Sequence, residues 1–482
     1  MLNPLRGVPN PAQVTAWGMF DLANQSFTLL INTLLFPIFF KEVVVGDGLP
    51  GVDQGTGDML WSITVAISLA IVVLLSPLAG AIGDVRAIKK PMLLGLGMAC
   101  VACTCALALV PDGRATPGVA AGAVALAMLL YIPANVAYQL GENFLASFLP
   151  EIATRQNMGR VSGIGWSMGY LGALLLLAIV AGAMFVLNID EVPEWRPIFI
   201  FAGLWFLAMA TPTAIVLREK AKPTPLPPGA SLVGIGFTRL RETAREASHF
   251  RQLATFFSAF LVYGFGVQVI VFFAGVLAKD FGFENIKLVG FTLQLTVLAG
   301  VAAIVTAMFQ DRFGHKRTIL AYLVIWLANA LGLAWLASIH ANAPDPSALP
   351  EWPVWMVGNG IGLGLGGIGT ASRSMVGALT PAHRTAEFFG LWGLVYKLAG
   401  CIGVLSFGLT AATSGRVASL LLLAAFFLSG AIILLFVNQA AGERAADDSE
   451  RAHARETDLD DLAAEARSEP LGKDDLPPIT PD

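Results

Sequence analysis

Charge is what this chain is short of. Only 13% of its 482 residues are Asp, Glu, Lys or Arg, against 56% that are apolar, and the mean hydropathy is +0.69. That balance excludes an ordinary multidomain soluble enzyme and indicates a membrane-embedded protein. Histidine is scarce too: all five (His249, His315, His340, His383, His453) fall in loops or the tail, so none serves within the membrane. The four cysteines (Cys100, Cys103, Cys105, Cys401) sit in apolar stretches. The CxxCxC spacing around Cys100 lacks a histidine or acidic partner, which makes these small packing residues and leaves no metal site. There is no HExxH, and SRS around Arg373 has no base beside it. An intramembrane aspartyl protease would need paired aspartates, where only Asp21 is central, so an enzyme is disfavoured and no cofactor is expected. GIGLGLGGIG near residue 360 imitates a dinucleotide fingerprint but lies inside an apolar run with no strand before it, where close helix packing explains it better.

Long apolar runs are what the chain has. Crossing a hydrocarbon core takes about 20 mostly apolar residues in a helix, and twelve such spans can be drawn: 14–40, 59–82, 91–110, 117–148, 159–187, 196–217, 251–278, 288–309, 318–339, 353–379, 386–412 and 417–437. The first is too long, and carries Asp21 and Asn24 too centrally, for a cleaved leader. With the N-terminus inside, inward segments before the tail hold 17 basic residues and outward loops hold six (Lys41, Arg114, Arg196, Lys279, Lys287, Arg416), which places both termini in the cytoplasm. After Gln439 there are 13 acidic and 5 basic side chains, a balance of −8, so the body carries +4 of the net −4. That modest basic excess, spread over short loops, argues against nucleic acid as a partner.

The chain therefore divides into a six-helix half (residues 1–217), an inward linker (218–250), a second six-helix half (251–437) and an acidic tail (438–482) expected to be largely disordered. The linker opens with KPTPLPPG, an extended spacer, and continues as the basic amphipathic run FTRLRETAREASHF, suited to membrane lipid at the inner leaflet. The halves share a pattern. Asp84 is followed five and six residues later by Lys89 and Lys90, and Asp311 by Lys316 and Arg317. At an offset of 231, Pro150 matches Pro381, Gly159 matches Gly390, Gly169 matches Gly400 and Gly172 matches Gly403. Parallel repeats about an axis along the membrane normal follow, with a site at their interface. The repeated acidic-basic loops (Asp84, Lys89, Lys90; Asp311, Lys316, Arg317) are read as charge locks that hold helices in one conformation and release them in another.

Four ionisable residues remain well inside spans: Asp21, Glu142, Arg373 and Lys397. Each would cost about 2.5–3.5 kcal/mol facing lipid at a helix centre, and helical rise puts all four in one layer, roughly 10–16 Å from the inner ends of their spans. Glu142 and Arg373 are themselves 231 apart, equivalent places with opposite charge. Amides gather around them: Asn24, Gln25 and Asn32 on span 1, Asn135, Gln139 and Asn143 on span 4, Gln268 on span 7 and Gln294 on span 8. Asn135, Gln139 and Glu142 or Asn143, at i, i+4 and i+7 or i+8, share one helix face. Taken singly, each amide is better explained by interhelical hydrogen bonding; the ionised residues together point to a cavity that binds a charged or zwitterionic organic solute, or exchanges a proton as the halves rearrange.

The twelve spans, central loop and twin acidic-basic loops resemble the major facilitator superfamily over residues 14–437. WGMFDLANQSF, ANVAYQL with FLPEIA, GRVSGIGWSMGYLG, GVQVIVFFA and SRS with AEFFGLWGLVYKLAG are similar to its vacuole-effluxer-like branch, which includes a fungal autophagy-related vacuolar amino-acid exporter and bacterial members. The resemblance implies the major facilitator fold, with Asp21, Asn24, Asn135, Gln139, Arg373 and Lys397 at central polar positions. Two departures stand out: Phe265 occupies the place of an acidic residue in span 7, and Glu142 that of an apolar one. The expectation is a monomeric secondary transporter of the bacterial inner membrane. It works by alternating access on a small polar or charged solute such as an amino acid, by efflux or proton-coupled exchange. Proton-coupled uptake, and a non-transporting receptor or assembly scaffold, are the rival readings.

Overall fold

The computed structural model describes residues 8, 10–115, 118, 120–154, 157–220, 223, 231–345 and 349–468. Among these residues the secondary structure is helical throughout, as expected of a chain whose backbone polar groups must be satisfied inside hydrocarbon. Span 1 is continuous but irregular: α1 (Pro11–Gln25) passes into π-helical turns (Ser26–Leu34), α2 (Leu35–Phe39) and further π-helical turns (Phe40–Val45). Within it Thr33 donates from its hydroxyl to the Thr28 carbonyl five residues back, at 2.9 Å, and Pro37 withholds a backbone donor. Spans 2 to 6 are α3 (Thr56–Arg86), α4 (Lys89–Ala106), α5 (Ala121–Ser147), followed by the short α6 (Leu149–Ile152), then α7 (Met158–Leu187) and α8 (Arg196–Val216). The linker holds α9 (Leu232–His249). Spans 7 to 10 are α10 (Arg251–Asp280), α11 (Asn285–Phe313), α12 (His315–Asn342) and α13 (Trp352–Ala378).

Ten helices among the described residues are long and apolar enough to cross a membrane, and the expected twelve uniform spans are corrected in two places. α14 (Thr385–Leu435) comprises spans 11 and 12 as one 51-residue element, broken only where Gly415 takes φ 84° and ψ 173°. α13 occupies span 10 but is diluted by the glycines of WMVGNGIGLGLGGIG. Their use is contact: a Cβ on Gly366 would collide with the Ala299 carbonyl of α11, and one on Gly367 with the Tyr322 ring of α12.

Two bundles result. In the first, α1 packs on α7 and α8, α4 on α5 and α8, and α3 on α5; in the second, α10 packs on α14, and α13 on α11 and α12. The repeat is visible at single contacts. Gly172 of α7 faces the backbone of Leu22 and Gly169 faces Gln25; in the second bundle Gly403 faces the backbone of Phe265 and Gly400 faces Gln268. The bundles meet along α3 with α14, α7 with α11, and α10 with the π-helical part of span 1.

The linker helix α9 packs on α3, α10 and α14 and so touches both bundles. Its N-terminus is capped by the Ser231 hydroxyl, which accepts from the Gly234 amide at 3.0 Å. The KPTPLPPG spacer, apart from Pro223, falls outside the described residues. Where a largely disordered tail is expected, the chain continues as α15 (Gln439–Ser468); residues 469–482 lie outside the described part. The helix is anchored. The Asn438 amide donates to Gln252 at 2.7 Å, Gly442 lies against Leu379, and His383 contacts Glu450 at 2.6 Å.

Candidate functional site

The polar face of α5 is met rung by rung by span 1. Asn24 donates to the Glu142 carboxylate at 2.6 Å, Thr28 to the Tyr138 hydroxyl at 2.9 Å, and Asn32 to the Asn135 side-chain oxygen at 3.3 Å. Residues 24, 28 and 32 lie about one turn apart opposite 142, 138 and 135, as two antiparallel helices in contact require. Tyr131 closes the series by donating to Asn32 at 3.0 Å, and Asn135, fully buried, donates to Ser68 of α3 at 2.7 Å. Gln25 donates to Asn24 at 3.3 Å. Gln139 sits half-buried on the same α5 face.

The second bundle brings cations to this layer. Lys397 of α14, 9% exposed, donates to Asn143 of α5 at 2.5 Å, and Asn143 in turn donates to Ser76 of α3 at 3.1 Å. Arg373 of α13 donates to Ser162 of α7 at 2.9 Å, with its guanidinium 5.8 Å from the centre of the Trp166 ring. Asp21 lies within electrostatic reach of Asn24 and Arg373, and Glu142 within reach of Asp21 and Lys397. The four intramembrane charges thus come together, the acids all from the first bundle and the bases all from the second. Asp21, Glu142 and Arg373 are only half-buried, so solvent-accessible space extends to the layer. Gln268 has a different use: it donates to the Tyr396 carbonyl at 3.1 Å and ties α10 to α14. Gln294 pairs with Asn359, within the second bundle.

A comparable cross-link occurs in the second bundle. Asn143 bonds Ser76 and so joins spans 4 and 2; Ser374, 231 residues later, accepts from Gln310 at 2.8 Å and joins spans 10 and 8. Such a layer, donors and acceptors from both bundles around half-buried charges, suits a solute bearing both signs of charge.

Residues 59–447 match the family described as "Vacuole effluxer Atg22 like". The chain belongs to that family. It is 25% identical over 435 residues to the uncharacterized MFS-type transporter YxiO of Bacillus subtilis (strain 168), covering 88% of this chain and 94% of the relative. It is also 25% identical over 271 residues to autophagy-related protein 22-2 of Aspergillus clavatus, covering 54% of this chain and 44% of that protein; the chain thus spans under half the length of this fungal relative. Among solved structures, the D-xylose-proton symporter superposes with a TM-score of 0.67 at 15% identity, covering 89% of this chain and 98% of the other. The nucleoside transporter NupG superposes with a TM-score of 0.62 at 14% identity, covering 89% and 98%. The fold is therefore that of the major facilitator transporters, and this vacuole-effluxer-like chain is a multi-pass membrane transporter rather than an enzyme.

In this member of the vacuole-effluxer-like family the repeated loops hold each bundle's own helices. Lys89 pairs with Glu151 at 3.3 Å, and Lys90 donates to the Leu217 carbonyl at 2.5 Å. Lys316 donates to the Leu435 and Val437 carbonyls, both at 2.7 Å. Cations here cap the C-terminal ends of spans 6 and 12, where carbonyl dipoles gather. The Asp84 side chain lies outside the described residues, while Asp311 and Arg317 are exposed. Among the described residues no ion pair joins Asp311 to Lys316 or Arg317.

Sequence reasoning missed a second charged group, at the end of the bundles remote from the N-terminus. Lys41 lies 3.1 Å from Asp280, 3.4 Å from Asp58 and 3.9 Å from Asp47, and Arg416 lies 2.6 Å from Asp58 and 2.5 Å from Asp280.

Proposed function

We propose that the protein carries a small zwitterionic or charged organic solute, amino acids foremost, out of the cell by alternating access, with a proton as the exchanged ion. The observation that carries this reading is the division of the mid-membrane charges. Asp21 and Glu142 belong to one bundle and Arg373 and Lys397 to the other, so a solute with an ammonium and a carboxylate engages both bundles at once. Binding that is realised only when the bundles are suitably apposed is the differential affinity a carrier needs. Membership of the vacuole-effluxer-like family and likeness to an MFS-type transporter support carriage of a solute across the membrane.

Glu142 is the carboxylate we assign to proton exchange. It accepts from Asn24, and its cationic neighbour Lys397 belongs to the opposite bundle, so parting the bundles changes its electrostatic surroundings. On this reading the chain lies in the inner membrane as a monomer with both termini in the cytoplasm, and the acidic-basic loops steady each half while the halves rock. The test is solute flux in reconstituted vesicles. Glu142→Gln should abolish transport driven by a proton gradient while leaving solute-for-solute exchange; an unchanged response to the gradient refutes the assignment. Solute accumulating on the side that protons enter would make the carrier an uptake symporter instead.

A further inference from the structure

We propose that Lys41, Asp58, Asp280 and Arg416 form an ionic gate that closes the periplasmic side of the carrier and must part for it to open outward. The inference rests on the alternating-access reading and adds the device that holds one of its states. The four side chains form an alternating ring in which each acid touches both bases. Two members come from the first bundle, Lys41 at the end of span 1 and Asp58 at the start of α3. The other two come from the second, Asp280 at the end of α10 and Arg416 beside the Gly415 break of α14. Asp58 is 4% exposed and none of the others exceeds 27%. Asp47 lies beside the ring, accepting from the amides of Gly55 and Gly57 at 3.1 Å each.

Close contacts between the bundles flank the ring. A Cβ on Gly408 of α14 would collide with the Ser62 hydroxyl of α3, Gly55 abuts the backbone of Ala412, and Trp61 of α3 donates to the Phe272 carbonyl of α10 at 3.1 Å. Ser62 is fully buried. At the other end the ion pair Lys89–Glu151 and the lysine caps stay within one bundle.

The wiring lets the ring part without stranding a charge. Two of its contacts cross between bundles, Lys41–Asp280 and Arg416–Asp58; the other two, Lys41–Asp58 and Arg416–Asp280, stay within one. When the bundles separate, each carries away a complete acid-base pair, which avoids the large penalty of leaving a desolvated ion unpaired. An ionic brace meant never to open has no need of that division.

Thiol labelling of Ser62→Cys in purified protein reads the gate without any substrate. Cys103, Cys105 and Cys401 are replaced by serine, and buried Cys100 is kept as the reporter of general unfolding. Asp280→Asn should raise the labelling rate at position 62 about tenfold with Cys100 unchanged. Exchanging the two members of the second bundle, Asp280→Arg with Arg416→Asp, keeps their mutual pair and the net charge but sets like charges against each other across the bundles. Labelling should then be faster still. Rates at position 62 unchanged within twofold in both variants, or accelerated equally at Cys100, overturn the gate in favour of no role or a purely structural one. Faster labelling in a protein that moves no solute in vesicles would leave the gate standing and refute the transport reading instead.

Discussion

Alanine at Gly403 tests whether the repeat contacts seen here set the spacing of the helices that carry the charged layer. Its Cβ would lie 2.5 Å from the Phe265 carbonyl oxygen and 2.6 Å from the Phe265 Cα, and both obstacles are backbone, so no rotamer change relieves them. Reaching an ordinary contact of 3.4 Å requires α14 and α10 to part by about 0.9 Å, and overpacking of this kind costs about 1–3 kcal/mol. Against this stands the helix-propensity gain of Gly→Ala, about 1 kcal/mol in a helix interior. Gly390 of the same helix isolates that gain, because a Cβ there meets nothing within 4 Å. The difference in unfolding free energy between Gly403→Ala and Gly390→Ala is therefore the overpacking cost, with Gly403→Ala the less stable. Gly172→Ala, whose Cβ would lie 2.6 Å from the Leu22 carbonyl, should behave alike in the first bundle. Lys397 is six residues before Gly403, about 9 Å along the helix, so the same displacement should slow flux in vesicles. Thermal unfolding in detergent checks the first claim and flux the second. Gly403→Ala melting with or above Gly390→Ala would refute the reasoning, since the close approach would then carry no cost.

Two further outcomes follow from the hydrogen bonds. Asn135→Ala removes the links to Ser68 and Asn32 and leaves buried polar atoms without partners, so it should lower stability by about 1–3 kcal/mol, measured by thermal unfolding; an unchanged midpoint would show the network to be slack. In the tail, hydrogen bonds from His383 hold the Glu450 carboxyl below its ordinary value of 4.5. A depressed acid stabilises docking at pH values above its ordinary value and loses that contribution as pH falls through the lowered one. Protection of the tail from protease should therefore weaken on acidification below 4.5, and Glu450→Gln should be cleaved modestly faster than the parent at pH 7; equal rates for both proteins at pH 7 would show that the contact contributes nothing to docking.

Hydropathy makes the spans legible, and the 231-residue offset makes the repeat legible, because lipid and internal duplication both leave marks on local sequence. The mid-membrane charges are legible for the same reason: Asp21, Glu142, Arg373 and Lys397 stand out against apolar runs. The ring at the distal end is not, and its members show why. Spans drawn from apolar runs stop at 40, begin at 59, stop at 278 and begin again at 417; Lys41, Asp58, Asp280 and Arg416 each lie one or two residues beyond. A charge ends an apolar run whether it is about to enter water or to meet an opposite charge from another helix. Only the tertiary pairing of spans 1, 2, 7 and 12 distinguishes the two, and that lies in no local window. The docking of the tail escapes composition likewise, since it depends on Gln252, Leu379 and His383, which are distant in sequence.

The two charged layers differ in a way that bears on how a solute drives the cycle. At the distal end acids and bases pair directly across the bundles, at 3.1 Å and 2.6 Å. At mid-membrane the cations are held instead by neutral groups of the opposite bundle, Lys397 by the Asn143 amide and Arg373 by the Ser162 hydroxyl. No ion pair within 4.0 Å joins Lys397 to Glu142 or Arg373 to Asp21 among the described residues. A hydrogen bond to a neutral acceptor is weaker than one to a carboxylate, so an arriving carboxylate displaces Asn143 or Ser162 at less cost than it would displace a paired acid. Direct salt bridges at this layer would have competed with every charged solute. The bundles are therefore joined by neutral partners at the centre, where we propose the solute enters, and by ion pairs at the distal end, where we propose the gate. On the proposed reading, a solute that replaces the neutral partners at the centre would alter the apposition of the bundles, and the distal ring would respond to that apposition.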